Sequence, residues 1–263
     1  MTGSGYQRSD TIRVLSYNIH KGIGGRDRRY RLERIIHVIQ AENPDIVCLQ
    51  EVDRNVARSY HDDQPRLLAE FLEMPYQLYQ LNVHLKEGGY GNLILSRFPL
   101  EQTHQISLTW RNGVRTKKPR GAQIVVADTP QGGFHIVNWH LGLAEYEREW
   151  QANHLLEHRL FREGADLPSL IIGDFNDWRN CLPFGSLGRH GFQQCTAPIS
   201  RYRSFPAYLP VGSLDKAFCR GAIDVRHAAI VKARVARAAS DHLPLVMDVA
   251  LNQPASGLAS GAA

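Results

Sequence analysis

The chain has 263 residues, 43% hydrophobic and 22% charged, with a formal charge of +5 at pH 7. That length can bury a substantial core, and this composition excludes a disordered chain and a membrane-embedded one. The modest positive balance tolerates anionic partners without naming one.

At the start, "MTGSGYQRSD" has no apolar h-region, and no stretch approaches the roughly 18 apolar residues of a membrane span. Cys48, Cys181, Cys195 and Cys219 show no C-x-x-C spacing, so reduced thiols in the cytoplasm are expected. "TIRVLSY" reads as the first strand. "YRLERIIHVIQAEN" reads as a helix with Leu32, Ile35, Ile36 and Ile39 on one face, stopped at Pro44. "DIVCLQ" is a strand, and "DDQPRLLAEFLE" a helix carrying Leu67, Leu68, Phe71 and Leu72. "YQLYQL", "GNLILS", "GAQIVVA" and "GFHIVNW" follow as strands with hairpin-like connections, which excludes a strictly alternating βαβ array. "AEYEREWQANHLLEHRLF" is the third helix, with Trp150, His154 or Leu155, and His158 or Leu160 near one side. "SLIIG", "SLDKAF" and "LPLVMDVAL" complete the strands. The expectation is one α/β domain over residues 10–252, with two sheets face to face and helices outside. Residues 1–9 and 253–263 are expected to be flexible termini.

Polar residues stand where the apolar strands end: Asn18, Glu51, His140, Asp174 with Asn176, Asp215, and the pair Asp241–His242. Each alone has an ordinary reading as a turn former, cap or surface acid. Together they offer carboxylates, carboxamides and imidazoles to one cleft. Oxygen donors suit a hard cation, Mg²⁺ or Mn²⁺, and Mg²⁺ needs only one or two protein carboxylates, such as Glu51 with Asp241 or Asn18. Histidine supplies proton transfer near neutrality when an acid orients it. The combination describes metal-assisted attack of water on phosphorus.

The ordered blocks "VLSYNIHKG", "DIVCLQEVD", "YGNLILSRFPL", "VNWHLG", "LIIGDFND", "SLDKAF" and "ASDHLPLVMDV" resemble the endonuclease/exonuclease/phosphatase superfamily. That superfamily includes pancreatic-type deoxyribonucleases, abasic-site endonucleases, neutral sphingomyelinases and inositol polyphosphate 5-phosphatases. The resemblance implies a four-layer α/β sandwich of two mixed, mainly antiparallel sheets flanked by helices. It implies Glu51 as principal metal ligand, with Asn18 and Asp241 assisting. His242 would be the base that takes a proton from water, oriented by Asp215. Asp174 and Asn176 would position the nucleophile and a phosphate oxygen, and His140 would hydrogen-bond the scissile phosphate. "PRGA" resembles a block in bacterial relatives that also carry "NIHKG", which makes Arg120 a phosphate contact, with a plain surface arginine as the alternative. Asn92, His20 and Lys21 are further candidates to line the cleft, whereas His37, His154 and His158 fall on helices and are not expected in the chemistry.

A small-molecule or lipid-headgroup phosphoester is the favoured substrate. A DNA or RNA nuclease is the alternative and calls for a basic track, of which "RNGVRTKKPRG" is the one visible piece. A catalytically silent binding scaffold would lack equivalents of Glu51, Asp174 or His242, and none is lacking. Lipid contact through basic loops and an exposed aromatic such as Trp110 stays open, and no obligate protein partner is evident.

Overall fold

Side-chain alternation along the strands decides how this chain layers. The structure is a computed structural model that describes residues 10–112 and 115–252. The expected flexible termini lie outside the described residues. In chain order the elements are β1 (Ile12–Asn18), α1 (Leu32–Glu42), β2 (Ile46–Arg54), α2 (Gln64–Phe71), β3 (Tyr76–His84), β4 (Gly89–Ser96) and β5 (Leu100–Ser107). Then come β6 (Arg111–Asn112), β7 (Arg115–Thr116), β8 (Gly121–Thr129), β9 (Gly132–His140), α3 (Glu145–Glu157), α4 (Arg159–Arg162) and β10 (Ser169–Asp174). The last are α5 (Ser186–Arg189), β11 (Gln193–Gln194), β12 (Asp215–Arg220), β13 (Ile223–Ile230), α6 (Arg234–Ala239) and β14 (Leu245–Leu251).

Two six-stranded sheets form, ordered β13-β14-β1-β2-β4-β3 and β11-β12-β10-β9-β8-β5. Each contains one parallel pair, β1 with β2 and β9 with β10, and the rest is antiparallel. Strand alternation then fills both faces. On β9 and β10, Phe134, Ile136, Leu170 and Ile172 pack into the core shared with the first sheet. Val137, Trp139 and Ile171 belong to a second core with Leu155 and Leu156 of α3, Phe161 of α4 and Leu187 of α5. Each such burial stabilises by about 1.5–3 kcal/mol. The stripe Leu32, Ile35, Ile36 and Ile39 of α1 is buried on the first sheet with Ala236 and Ala239 of α6. The result is the expected four-layer arrangement. Among the described residues, no helix is long and apolar enough to cross a membrane.

Two helix faces differ from expectation. On α2, Leu68 is buried but Phe71 is 58% exposed, because this short helix ends at Phe71 before a second turn of contacts can cover it. On α3 the inward face is Glu147, Arg148, Gln151, Ala152, Leu155 and Leu156, while Trp150 points outward and stacks on His154. Polar groups there hydrogen-bond under cover: Gln151 accepts from Gly142 N at 2.8 Å and donates to Leu108 O at 2.8 Å.

Between the sheets, Asn138 of β9 is fully buried and fully used. Its Nδ2 shares two hydrogens among Leu49 O (3.0 Å), Leu93 O (3.2 Å) and Gln123 Oε1 (2.9 Å), and its Oδ1 accepts from Gln50 Nε2 (2.8 Å). This amide locks β2, β4, β8 and β9 in one register. It lies two residues before His140, and Gln50 lies one before Glu51.

Candidate active site

The candidate side chains gather where the parallel pairs end. His140 closes β9, Asp174 closes β10 and Asp215 opens β12, and the registers place His140 opposite Asp174 and Asp174 opposite Asp215. Three residues far apart in sequence therefore form one row across three neighbouring strands. Facing them from the other sheet, Asn18 closes β1 opposite Gln50. Between Leu49 and Val52 the ladder with β4 holds one extra residue, and Glu51 there has φ +57°. That bulge turns Glu51 out of the sheet and toward the cleft.

His242 reaches the row from the loop before β14. Its Nδ1 is 2.8 Å from Asp215 Oδ2, its Nε2 is 3.8 Å from Asp174 Oδ2, and Phe205 packs on the ring at 4.8 Å between centroids. Burial alone would discharge this imidazole, but Asp215 and Asp174 outweigh it and raise its pKa well above the ordinary range. Asp174 accepts from Asn18 Nδ2 at 2.9 Å and from the Asn176 backbone N–H at 3.0 Å. Burial, with Asp215 adding to it, raises the Asp174 pKa despite His242 nearby. Asn176 takes φ +50°, which asparagine tolerates, and its Nδ2 donates to Leu141 O at 3.0 Å. Asp174, Asn176, Asp215, His242 and Asn18 thus form one connected group.

Across the cleft, Glu51 forms an ion pair with Lys21, and Lys118 Nζ stands 3.9 Å from its other oxygen. Burial pushes the Glu51 pKa up, but Lys21, His140 and Lys118 together hold it well below the usual carboxylate range. Asp241 sits apart from this pair, with Oδ2 3.8 Å from His20 Nε2 and Oδ1 3.4 Å from Ser240 Oγ. His20 itself is anchored by Nδ1 on Ile23 O at 2.9 Å. Among the described residues no three His, Cys, Asp or Glu side chains are gathered into a metal-holding group. The donor chemistry nevertheless fits a hard divalent ion. Glu51 is half-buried, its charged form is favoured by its neighbours, and it is already in contact with a cationic head, while Mg²⁺ fills most of its shell with water and phosphate.

His140 stands between Arg120 and Asp174. Arg120 Nη1 lies 3.2 Å from His140 Nδ1, and His140 Nε2 lies 3.3 Å from Asp174 Oδ2. A guanidinium can only donate, so Nδ1 accepts and Nε2 carries the hydrogen. Burial and the Arg120 charge keep the His140 pKa well below its ordinary value. This residue is a neutral donor, unsuited to releasing a proton. Arg120 is 7% exposed, buried rather than on the surface, and its Nε has no partner. Asn92 is also buried, with Nδ2 donating to Gly121 O at 2.9 Å, so it ties β4 to β8 behind the site.

Several contributors escape a sequence reading. Phe205 backs His242. Tyr90 lies under Lys21 and Lys118, each 5.2 Å from its ring centre. Below the loop after β10, fully buried Lys216 donates to Asp177 O and Asn180 Oδ1, both at 2.7 Å. The one available signal was the lysine inside "SLDKAF", an unusual residue for a buried strand.

Comparison with known proteins agrees with this geometry. A family model described as "Endonuclease/Exonuclease/phosphatase family" matches residues 15–242. The uncharacterized protein YbhP of Escherichia coli K12 is 30% identical over 252 residues, covering 92% of this chain and 97% of YbhP. An endonuclease/exonuclease/phosphatase structure from Beutenbergia cavernae superposes with TM-score 0.72 at 24% identity, over 92% of this chain and 72% of that one. The mannosyl-6-phosphatase Bt3783 of Bacteroides thetaiotaomicron superposes with TM-score 0.68 at 18% identity, over 91% and 100%. These two structures show a shared fold.

Proposed function

Because this chain belongs to the endonuclease/exonuclease/phosphatase family, whose members are phosphoester hydrolases, we propose that it is a divalent-metal-dependent phosphoesterase. Its substrate is a small-molecule or lipid-headgroup phosphoester. The observation that carries the reading is His242, held by Asp215 on one nitrogen and turned toward Asp174 with the other.

Glu51 would hold the ion, with Asn18 and Asp241 as the further oxygen donors of the cleft. A bound Mg²⁺ or Mn²⁺ supplies charge stabilisation to the phosphate and a positive potential that opposes protonation of His242. Asp174 and Asn176 position water against phosphorus, and His242 takes its proton as the new P–O bond forms and the ester P–O bond breaks. Asp215 fixes the tautomer that leaves Nε2 free to accept. His140 donates its Nε2–H to a non-bridging oxygen, and buried Arg120 both orients that imidazole and faces the anion.

The test is a phosphoester panel with Mg²⁺ or Mn²⁺: bis(p-nitrophenyl) phosphate, glycerophospholipids, sphingomyelin, inositol phosphates, plasmid DNA and abasic duplex. Hydrolysis should vanish in EDTA and fall by orders of magnitude in His242→Ala and Glu51→Gln. Preferred cleavage of DNA would replace the small-ester reading with the nuclease one. Activity surviving both substitutions would refute the assignment.

A further inference from the structure

We propose that the Glu51 flank of the site is a second anion subsite, for an ester that carries another phosphate beside the scissile one. The inference rests on the phosphoesterase reading and names its substrate class more closely. It begins with an imbalance. Two ammonium groups, Lys21 and Lys118, converge on the single carboxylate of Glu51. The same two lysines and Arg58 surround the Tyr90 ring, at 5.2, 5.2 and 5.1 Å from its centre. Arg58 is tied to Asp53 by paired hydrogen bonds of 2.7 and 2.9 Å, so it is fixed in place.

Arg58 also lines a cavity of about 860 Å³, together with Arg28, Arg29, Arg31, Tyr30 and Tyr60 and the acids Glu33 and Asp62. Asp62 accepts from the Tyr30 hydroxyl at 2.6 Å and keeps its charge, so the lining sets four guanidiniums against two carboxylates. That excess of positive charge lies near Lys21 and Lys118, because Arg58 both lines the cavity and stands with the two lysines around the Tyr90 ring. Guanidinium forks match phosphate oxygens in pairs, and the space exceeds what a lone oxyanion needs. None of these residues except Lys118 belongs to the basic stretch visible in sequence. Arg58 is the residue common to both groups.

The test compares two nitrophenyl esters that differ by one phosphate: thymidine 5′-(p-nitrophenyl phosphate) and its 3′-phosphorylated form. The variant is Arg28→Asn/Arg31→Ser. Arg28 has φ +57°, which asparagine accepts, and Arg31 precedes α1, where serine is a favoured cap. The 3′-phosphorylated ester should show the higher kcat/KM in the unaltered protein, and the variant should lower the ratio of the two about tenfold, through KM. Calorimetry of thymidine 3′,5′-bisphosphate against 5′-monophosphate on the His242→Ala protein should show the same loss in affinity, independently of turnover. If neither ester is hydrolysed, the calorimetry still decides the subsite, and the phosphoester panel separately decides the phosphoesterase reading. Equal affinity for both nucleotides, or a ratio unmoved by the substitutions, overturns the subsite whatever the turnover.

Discussion

Asp215→Asn separates charge from shape at the His242 pair. The side chain is fully buried, with Oδ2 2.8 Å from His242 Nδ1 and Oδ1 without a hydrogen-bond partner. An asparagine of the same shape has two placements. With its oxygen toward His242 it keeps the working tautomer but buries an NH₂ where nothing accepts, at a cost of about 1–3 kcal/mol. Flipped, its NH₂ donates to Nδ1, the hydrogen moves to Nε2, and the imidazole can no longer accept a proton from water. The flip is favoured by that 1–3 kcal/mol, which leaves roughly one molecule in five to one in 150 competent. Losing the carboxylate that stabilises the imidazolium deepens the deficit, so kcat should fall by about 10³–10⁴. The assay is steady-state hydrolysis of bis(p-nitrophenyl) phosphate, with ¹⁵N NMR of the His242 ring to read its tautomer. A variant within threefold of the original rate, with the ring tautomer reversed, would refute the role given to His242.

Three further outcomes test the framework of the site. His135 is buried, donates to or accepts from Ser169 Oγ at 2.7 Å, and burial lowers its pKa to about 4. A histidine depressed in the fold contributes stability that is whole above about pH 6.5 and lost as pH falls toward 4, about 3 kcal/mol in all. Urea titrations should therefore show His135→Phe losing less stability than the original between pH 7 and 4; parallel curves would contradict this. Gly173 has φ +146° and an added Cβ would lie 2.2 Å from Trp139 O, so Gly173→Ala should pry β10 from β9 beside Asp174. A cost of about 3 kcal/mol and a matching fall in Tm are expected, with near-unchanged Tm as the contrary result. Asn138→Leu leaves Leu49 O, Leu93 O, Gln50 and Gln123 short of partners between the sheets. It should cost about 3–5 kcal/mol by chemical denaturation, and a loss under 1 kcal/mol would show that the inter-sheet register does not depend on this amide.

The central strands and α1 were legible because local pattern decides them: aliphatics covered on both faces, helical spacing, and a stop at Pro44. The edge strands β5 and β13 were not. "LEQTHQIS" is largely exposed and "IDVRHAAI" mostly half-buried, neither carries a periodic apolar signal, and pairing with one neighbour makes them strands. The candidate residues Asn18, Glu51, His140, Asp174, Asn176, Asp215 and His242 could be named from sequence, since each interrupts an apolar run at its end. Their roles came only from the resemblance, and the structure adds what orients each one. Sheet register sets His140, Asp174 and Asp215 in one row, and a bulge aims Glu51. Burial beside Arg120 favours the neutral form of His140 with the hydrogen on Nε2, which no local pattern in the sequence signals. The arginine cavity that Arg58 lines likewise exists only in three dimensions, because charge and desolvation act through space and follow distance in the fold rather than order along the chain.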